Sequence, residues 1–572
     1  MMRLCSRGSA ASSLFAAVAA ALLIVPPAAA GDGQVKAHGK LSNLEGDLGA
    51  VTTLGAGDRF GWSVAEIGDF DGNGVTDLVV GAPWDDDGGT DAGAVYLVTM
   101  NADGTVSDTD KITEGTPGFT ANLQDFDWFG WSVASLGDLD GDGVTDIAVG
   151  AASDDQTNDD AGAVYVLFLN ANGTVKSHTR FSGNQGGFGI FLEGFSYFGC
   201  AVANLGDVDG DGVIDLAVGS FGDAQNGAFR GAIYIVFMNS DGSVKDEQKI
   251  NDSNGAFFAE RNDGDEFGWA AAGMGDLDGD GVGDVAVGAI LDDDGNADAG
   301  TVTILFLNAN GTVKEFNVIG SELGGMVSIL DQQDHFGRGV ANIGDVNGDG
   351  VNDLGAGAVW DGDGAFRAGA AWVLLLDSQG VVIGEQKISA SAGNFTGDLD
   401  ENDTFGNSVA PLGDFDGDGT VDMVVGADHD DDGDPDAGAL YILYLESTPF
   451  TEIGNGLAGT HGEPGLSGVG DFVVGQNVGV ALTNALENTL AWFVGSVAFL
   501  NFPFKGGVLV PDPAQGFALT VNTGPTGDDA VLAGPWPAGV PAGVPVIFQC
   551  WIPDAGAIKG FAASNAVEAT TP

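Results

Sequence analysis

Short apolar runs, broken by dense glycine and aspartate, recur along most of the chain, and their pattern predicts strands. In one block the runs fall at 132–137, 146–151, 163–169 and 174–181. The third, Ala-Val-Tyr-Val-Leu-Phe-Leu, is apolar at every position instead of at alternate ones. A strand with one wet face alternates, so this one belongs in a sheet covered on both sides. Between the third and fourth runs lies Asn170-Ala171-Asn172-Gly173, a hairpin signal with counterparts at 101–104, 239–242 and 308–311. No convincing helical pattern appears in this region, where glycine and aspartate are too dense. Each block therefore reads as four antiparallel strands.

The blocks are copies of one unit. A stretch opening Phe-Gly begins at Phe60, Phe129, Phe198, Phe267, Phe336 and Phe405, each 69 residues after the last. A constant period over six copies marks a repeat architecture. Inside every copy sits an acidic nonapeptide, D-x-[DN]-G-[DN]-G-x-x-D. Its first, third, fifth, seventh and ninth residues are Asp69, Asp71, Asn73, Val75 and Asp77 in the first copy. They are Asp138, Asp140, Asp142, Val144 and Asp146 in the second, and Asp207, Asp209, Asp211, Val213 and Asp215 in the third. The fourth has Asp276, Asp278, Asp280, Val282 and Asp284; the fifth Asp345, Asn347, Asp349, Val351 and Asp353; the sixth Asp414, Asp416, Asp418, Thr420 and Asp422.

This spacing suits calcium, a hard cation that takes six to eight oxygens. Positions one, three, five and nine offer side-chain oxygens, position seven a backbone carbonyl, and glycine at six the sharp turn. Position twelve, where a helix-loop-helix motif needs a bidentate glutamate, is apolar (Val80, Val149, Val218, Val287, Ala356, Val425). The expectation is a strand-loop-strand site and about six calcium ions. Like charges crowded into nine residues also repel unless a cation sits among them.

The order Phe-Gly, Val-Ala, Gly-Asp, acidic loop, Val-Gly-Ala resembles the FG-GAP repeat of integrin alpha-subunit propellers and their secreted bacterial relatives, over roughly 34–446. The third copy departs from it with Ser220 and the fifth with Ala356. The resemblance implies an all-β propeller with calcium in hairpin loops, its blades covered on both faces by their neighbours. Integrin heads have seven blades, whereas six motifs stand here. Residues 35–42, VKAHGKLS, match a fourth strand such as VKSHTRFS at 175–182, with His38 in the place of His178. The sixth copy stops after its third strand. The expectation is six blades, the last completed by the N-terminal strand; the alternative is a seventh blade from the C-terminal region.

Blade topology sorts the loops onto two faces. The acidic nonapeptides share one face with the hairpins. The other gathers the fourth-to-first loops and acidic second-to-third loops of the Asp-Asp-Asp-Gly type, headed by Trp84, Ser153, Leu291, Trp360 and His429. These second-to-third loops read as solvated turns, a rigid frame presenting variable residues to a partner.

Outside the repeats, residues 1–30 read as a secretory signal peptide: Arg3 and Arg7, an apolar run over 14–25, then small residues. No later run is apolar enough to span a membrane. Residues 447–456 read as a linker and 457–572, poor in charge, as a small β-sandwich-like accessory domain. The net charge of −65, 83 acids against 18 bases, opposes direct binding to nucleic acid or anionic membrane. Six calcium ions would cancel only about twelve of these charges. Cys200 stands where other copies have tryptophan, which favours a buried thiol over a disulfide with Cys550.

Catalytic signals are few. His38, His178, His335, His429 and His461 form no zinc pattern, and no nucleophile elbow or phosphate loop appears. The function expected is a secreted, calcium-stabilised module binding an extracellular protein or glycan, without catalytic residues. The alternative is a carbohydrate-active enzyme with its site on the loop-rich face.

Overall fold

The computed structural model describes residues 33–446 apart from 226 and 258–260, and beyond 446 a set of strands with a few adjoining residues. The expected leader at 1–30 lies outside the described residues. The chain divides into two compact units, the larger holding Gly33–Val346 and Gly350–Glu446, the smaller containing Ser447–Pro572.

In the larger unit six four-stranded antiparallel sheets form a six-bladed propeller. In the second blade the strands are Phe129–Gly137, Asp146–Ala151, Ala163–Leu169 and Val175–Phe181. The first begins three residues before the expected 132, because Phe129 already pairs with Ala151. The alternative of a seventh blade is not realised. Gln34–Leu41 pairs with Ala439–Glu446 and completes the sixth sheet, so the two ends of the repeat region close the ring.

Third strands such as Ala163–Leu169 are buried along their whole length. Six hydrophobic clusters fill the six spaces between blades, one per interface; one packs Val164, Val166 and Phe168 of blade two against Val202, Val218 and Tyr234 of blade three. The Phe-Gly and Val-Gly-Ala signatures are inter-blade joints. Phe129 is fully buried, and its N–H donates to the Ala92 carbonyl of the preceding blade at 2.9 Å. Gly130 has φ +93°, and a Cβ there would lie 2.3 Å from the Ala94 oxygen. A Cβ on Gly81 would lie 1.9 Å from the Gly130 oxygen. Neighbouring blades thus approach backbone to backbone, which only glycine permits.

The smaller unit is all-β, with sheets of five, three and two strands. Its first strand, Phe450–Glu452, falls inside the stretch expected to be a linker and pairs with the last strand, Phe561–Thr570. Among the described residues no helix is long and apolar enough to cross a membrane.

Candidate metal loops and the loop-rich face

Each acidic nonapeptide joins the first and second strands of a blade, and its ninth residue opens the second strand. That aspartate is buried and ties the blade together. One oxygen of Asp146 accepts the Leu169 N–H at the end of the third strand (3.0 Å), the other the Leu139 N–H in the loop (3.1 Å). Asp77, Asp215, Asp284, Asp353 and Asp422 do the same in their blades. Burial pushes the carboxyls of Asp146, Asp215, Asp284 and Asp422 up to about 6. In the second to sixth copies the first residue accepts the N–H of glycine six, as Asp138 does from Gly143 at 2.8 Å. The fifth accepts the N–H of residue seven, orienting that peptide; Asn73 to Val75 is 2.7 Å.

In five loops the carboxylates of positions one, three and nine converge, their oxygens within 4.8 Å of one another: Asp69, Asp71 and Asp77; Asp138, Asp140 and Asp146; Asp207, Asp209 and Asp215; Asp276, Asp278 and Asp284; Asp414, Asp416 and Asp422. Such all-oxygen clusters could hold a hard cation. The fifth loop has Asn347 at position three and so lacks the third acid. Asp142, Asp211, Asp280 and Asp418, expected as ligands at position five, stand outside these clusters.

Lysines explain part of that departure. Lys176, the second residue of a fourth strand, reaches Asp140 and Asp142. Lys245 reaches Asp209 and Asp211, Lys314 reaches Asp278 and Asp280, and Lys36 reaches Asp416 and Asp418. The first and fifth blades carry Ser107 and Ile383 at that place, and these two loops carry asparagine, Asn73 and Asn347, in place of one aspartate. Four aspartates plus one lysine, or three aspartates alone, both sum to −3, so all six loops hold the same local charge.

On the opposite face the second-to-third loops are not solvated turns. Their first aspartates, Asp85, Asp154, Asp223, Asp292, Asp361 and Asp430, are buried. Each meets a cation, and most also meet a tyrosine. Tyr165 donates to Asp154 at 2.8 Å, and Arg180, its cross-strand neighbour, pairs with the same carboxylate. Asp85 is held by Tyr96 and Lys111, Asp223 by Tyr234 and Lys249, Asp361 by Lys387, and Asp430 by Tyr441 and Lys40 of the closing strand. Blade four has Thr303 and Val318 where the others have the aromatic and the cation. There Arg261 enters from the fourth-to-first loop and binds Asp292 at 2.6 Å. The sequence signal was present: one lysine or arginine recurs near the end of five fourth strands.

The first strands line a central channel. At its loop-rich end stand Trp62, Trp131, Cys200, Trp269, Arg338 and Asn407, one from each blade. Deeper in, Ser63, Ser132 and Ser408 donate to the Gly130, Gly199 and Gly61 carbonyls of the next blade. The Cys200 thiol donates to the Gly268 carbonyl at 3.2 Å, and burial pushes its pKa up to about 12, as expected of a buried free cysteine. Above this ring, the residue before each Phe-Gly is Arg59, Trp128, Tyr197, Glu266, His335 or Thr404, all at φ between +52° and +60°. Sequence reasoning missed this ring. Its signal was a position that differs in every copy between neighbours that scarcely change.

Family models of the FG-GAP repeat match residues 54–98, 129–167 and 405–443. Human integrin alpha-11 is 33% identical over 175 residues, 29% of this chain and 13% of that protein. Mouse integrin alpha-2 is 34% identical over 236 residues, 40% of this chain and 17% of that protein. The matched stretches thus span under a fifth of these relatives. The crystal structure of the V. cholerae biofilm matrix protein Bap1 aligns with 94% of this chain and 70% of that one, at 13% identity and a TM-score of 0.28. The matched stretches contain the residues that lock blade to blade here, Phe-Gly and Val-Gly-Ala around an acidic loop: the chain carries FG-GAP repeats and is a distant homologue of the integrin alpha subunits.

Proposed function

We propose that this protein is an extracellular binding module: a leader at 1–30, a calcium-stapled propeller over 31–446, and an accessory β domain from 457. The nonapeptide residues named above would hold the ions at positions one, three and nine, with five and seven completing the shell. Bound calcium would neutralise carboxylates and join the first hairpin of each blade to its third strand, stabilising the ring by mass action.

One observation carries the ligand role. The metal-capable loops all lie on one face, while the other exposes Phe126, Phe195, Phe229 and Phe366 in a chain of net charge −65. Exposed aromatics on an acidic surface mark a contact for a protein or glycan. Phe126→Ser with Phe366→Ser should abolish adhesion of the calcium-loaded chain to extracellular matrix and leave melting unchanged; unaltered adhesion would remove the proposal.

A carbohydrate-active enzyme is the second reading, and Glu266 favours it. Burial at the channel mouth outweighs Arg338 and pushes its carboxyl up to about 7, where a general acid works. Polysaccharide cleavage lost in Glu266→Gln would put this reading first.

A further inference from the structure

We infer that the mouth of the central channel is a site for a hydroxyl-rich ligand bearing one carboxylate, an acidic sugar. This rests on the reading of the loop-rich face as a ligand surface and narrows it.

Six arginines lie among the described residues. Arg180, Arg230 and Arg261 each have a carboxylate within 3.0 Å. The other three gather at the mouth, each over an indole ring. Arg59 sits 4.3 Å from the Trp84 ring. Arg338 lies between Trp62 and Trp269, at 4.3 and 4.6 Å. Arg367 sits 3.7 Å from Trp360, whose ring also stacks on His335. Arg59 and Arg338 share Trp62, so two guanidinium groups converge on one ring.

A guanidinium held over an aromatic face can still grip a carboxylate through its N–H edge with two parallel bonds. The carboxylates that act on these arginines are Asp428, Glu266 and Asp91. Asp428 is 3.8 Å from Arg59 and bonded to Thr404; Glu266 is half-buried beside the channel. None of the three arginines has a carboxylate closer than the 3.8 Å between Arg59 and Asp428 among the described residues. Trp128 adds a buried indole N–H with no partner.

The backbone points the same way. Six bulky or polar residues hold the left-handed conformation before Phe-Gly, a backbone cost that glycine would remove. The frame is constant and the side chains all differ, as expected where side chains meet a ligand. Around them Asp86, Asp155, Asp293 and Asp431 are exposed. These carboxylates accept hydrogen bonds from sugar hydroxyls and repel a polyacidic peptide.

The test uses the full, calcium-saturated chain and a matched pair of trisaccharides. One ends in glucuronate; in the other that carboxyl is reduced to the alcohol. Binding is read by tryptophan fluorescence and calorimetry, with an acidic hexapeptide as a third probe. The glucuronate form should bind at least about tenfold tighter than its reduced twin, the worth of one charge-assisted hydrogen bond. Arg59→Gln and Arg367→Gln should each erase about tenfold of that preference without shifting the melt. Equal affinity for the twins, no binding of either, or tighter binding of the hexapeptide overturns the inference. If adhesion through the loop-rich face persists while the twins are not distinguished, this inference falls alone; if adhesion is also absent, the reading beneath it falls too.

Discussion

Burial sets how a single carboxylate titrates. Asp127, immediately before the mouth residue Trp128, accepts the Gln124 N–H at 2.7 Å, and burial pushes its carboxyl up to about 7. The folded chain then holds this proton more tightly than the unfolded chain, where aspartate titrates near 3.9. Its stabilising share is complete below about pH 4 and is lost as pH rises to about 7. Asp127→Asn keeps an acceptor and removes the charge, so it should raise stability by about 1–3 kcal/mol at pH 8 and leave it unchanged near pH 4. Melts at the two pH values check this, and a variant weaker at pH 8 would refute it. Arg261 is the converse case. Its loss would leave Asp292 buried and unpaired, at about 3–5 kcal/mol. Because Val318 pairs with Thr303 in the register that sets Lys111 opposite Tyr96, adding Val318→Lys to Arg261→Ala should recover part of that loss in denaturant unfolding.

At the scale of the hairpin, equal loop charge is the rule that the six copies obey. If lysine on the fourth strand offsets the fourth aspartate, Lys176→Met leaves its loop at −4. The metal-free chain should then melt lower and bind calcium tighter in that loop. Adding Asp142→Asn restores −3 and should return both properties; titration calorimetry beside melts reads the pair. An unchanged calcium affinity in Lys176→Met would show the lysine to be a bystander. Asp140→Ala removes a convergent ligand and should cost one ion of the set, the others remaining in metal analysis. Strand positions were legible from the sequence because apolar runs and turn residues are local signals. The burial of Asp85 and its counterparts was not. Three adjacent aspartates look solvated until a tyrosine and a lysine, brought from strands 11 and 26 residues away, cover the first of them.

The ring as a whole depends on two closures. The N-terminal strand buries Val35 and Leu41 in two inter-blade clusters and supplies Lys40 to Asp430. Burying those two side chains alone is worth about 3–6 kcal/mol. A chain lacking residues 33–41 should therefore unfold at markedly lower denaturant, and the same segment added as a peptide should restore much of the midpoint; an unmoved midpoint would mean that the clasp is dispensable. Calcium, in the role proposed for it, would be the other closure. At a hundred times the dissociation constant each ion adds about 2.7 kcal/mol. A chelator should lower the melting temperature by many degrees, and metal analysis of the purified chain should find about six ions. A melt unmoved by chelation would end the structural role proposed for calcium.

Composition and order along the chain were enough for the blade count, the strand sequence and the loops able to take a metal. All three rest on local spacing repeated at a fixed period, and a repeat has no choice but to fold the same way six times. The tertiary structure alone decided which charges are buried, which carboxylate Arg261 serves, and that Arg338 of the fifth repeat lies over Trp62 of the first and Trp269 of the fourth. The Arg338–Trp62 contact joins residues in the fifth and first repeats. That contact exists only once the ring has formed, and no period in the sequence encodes it.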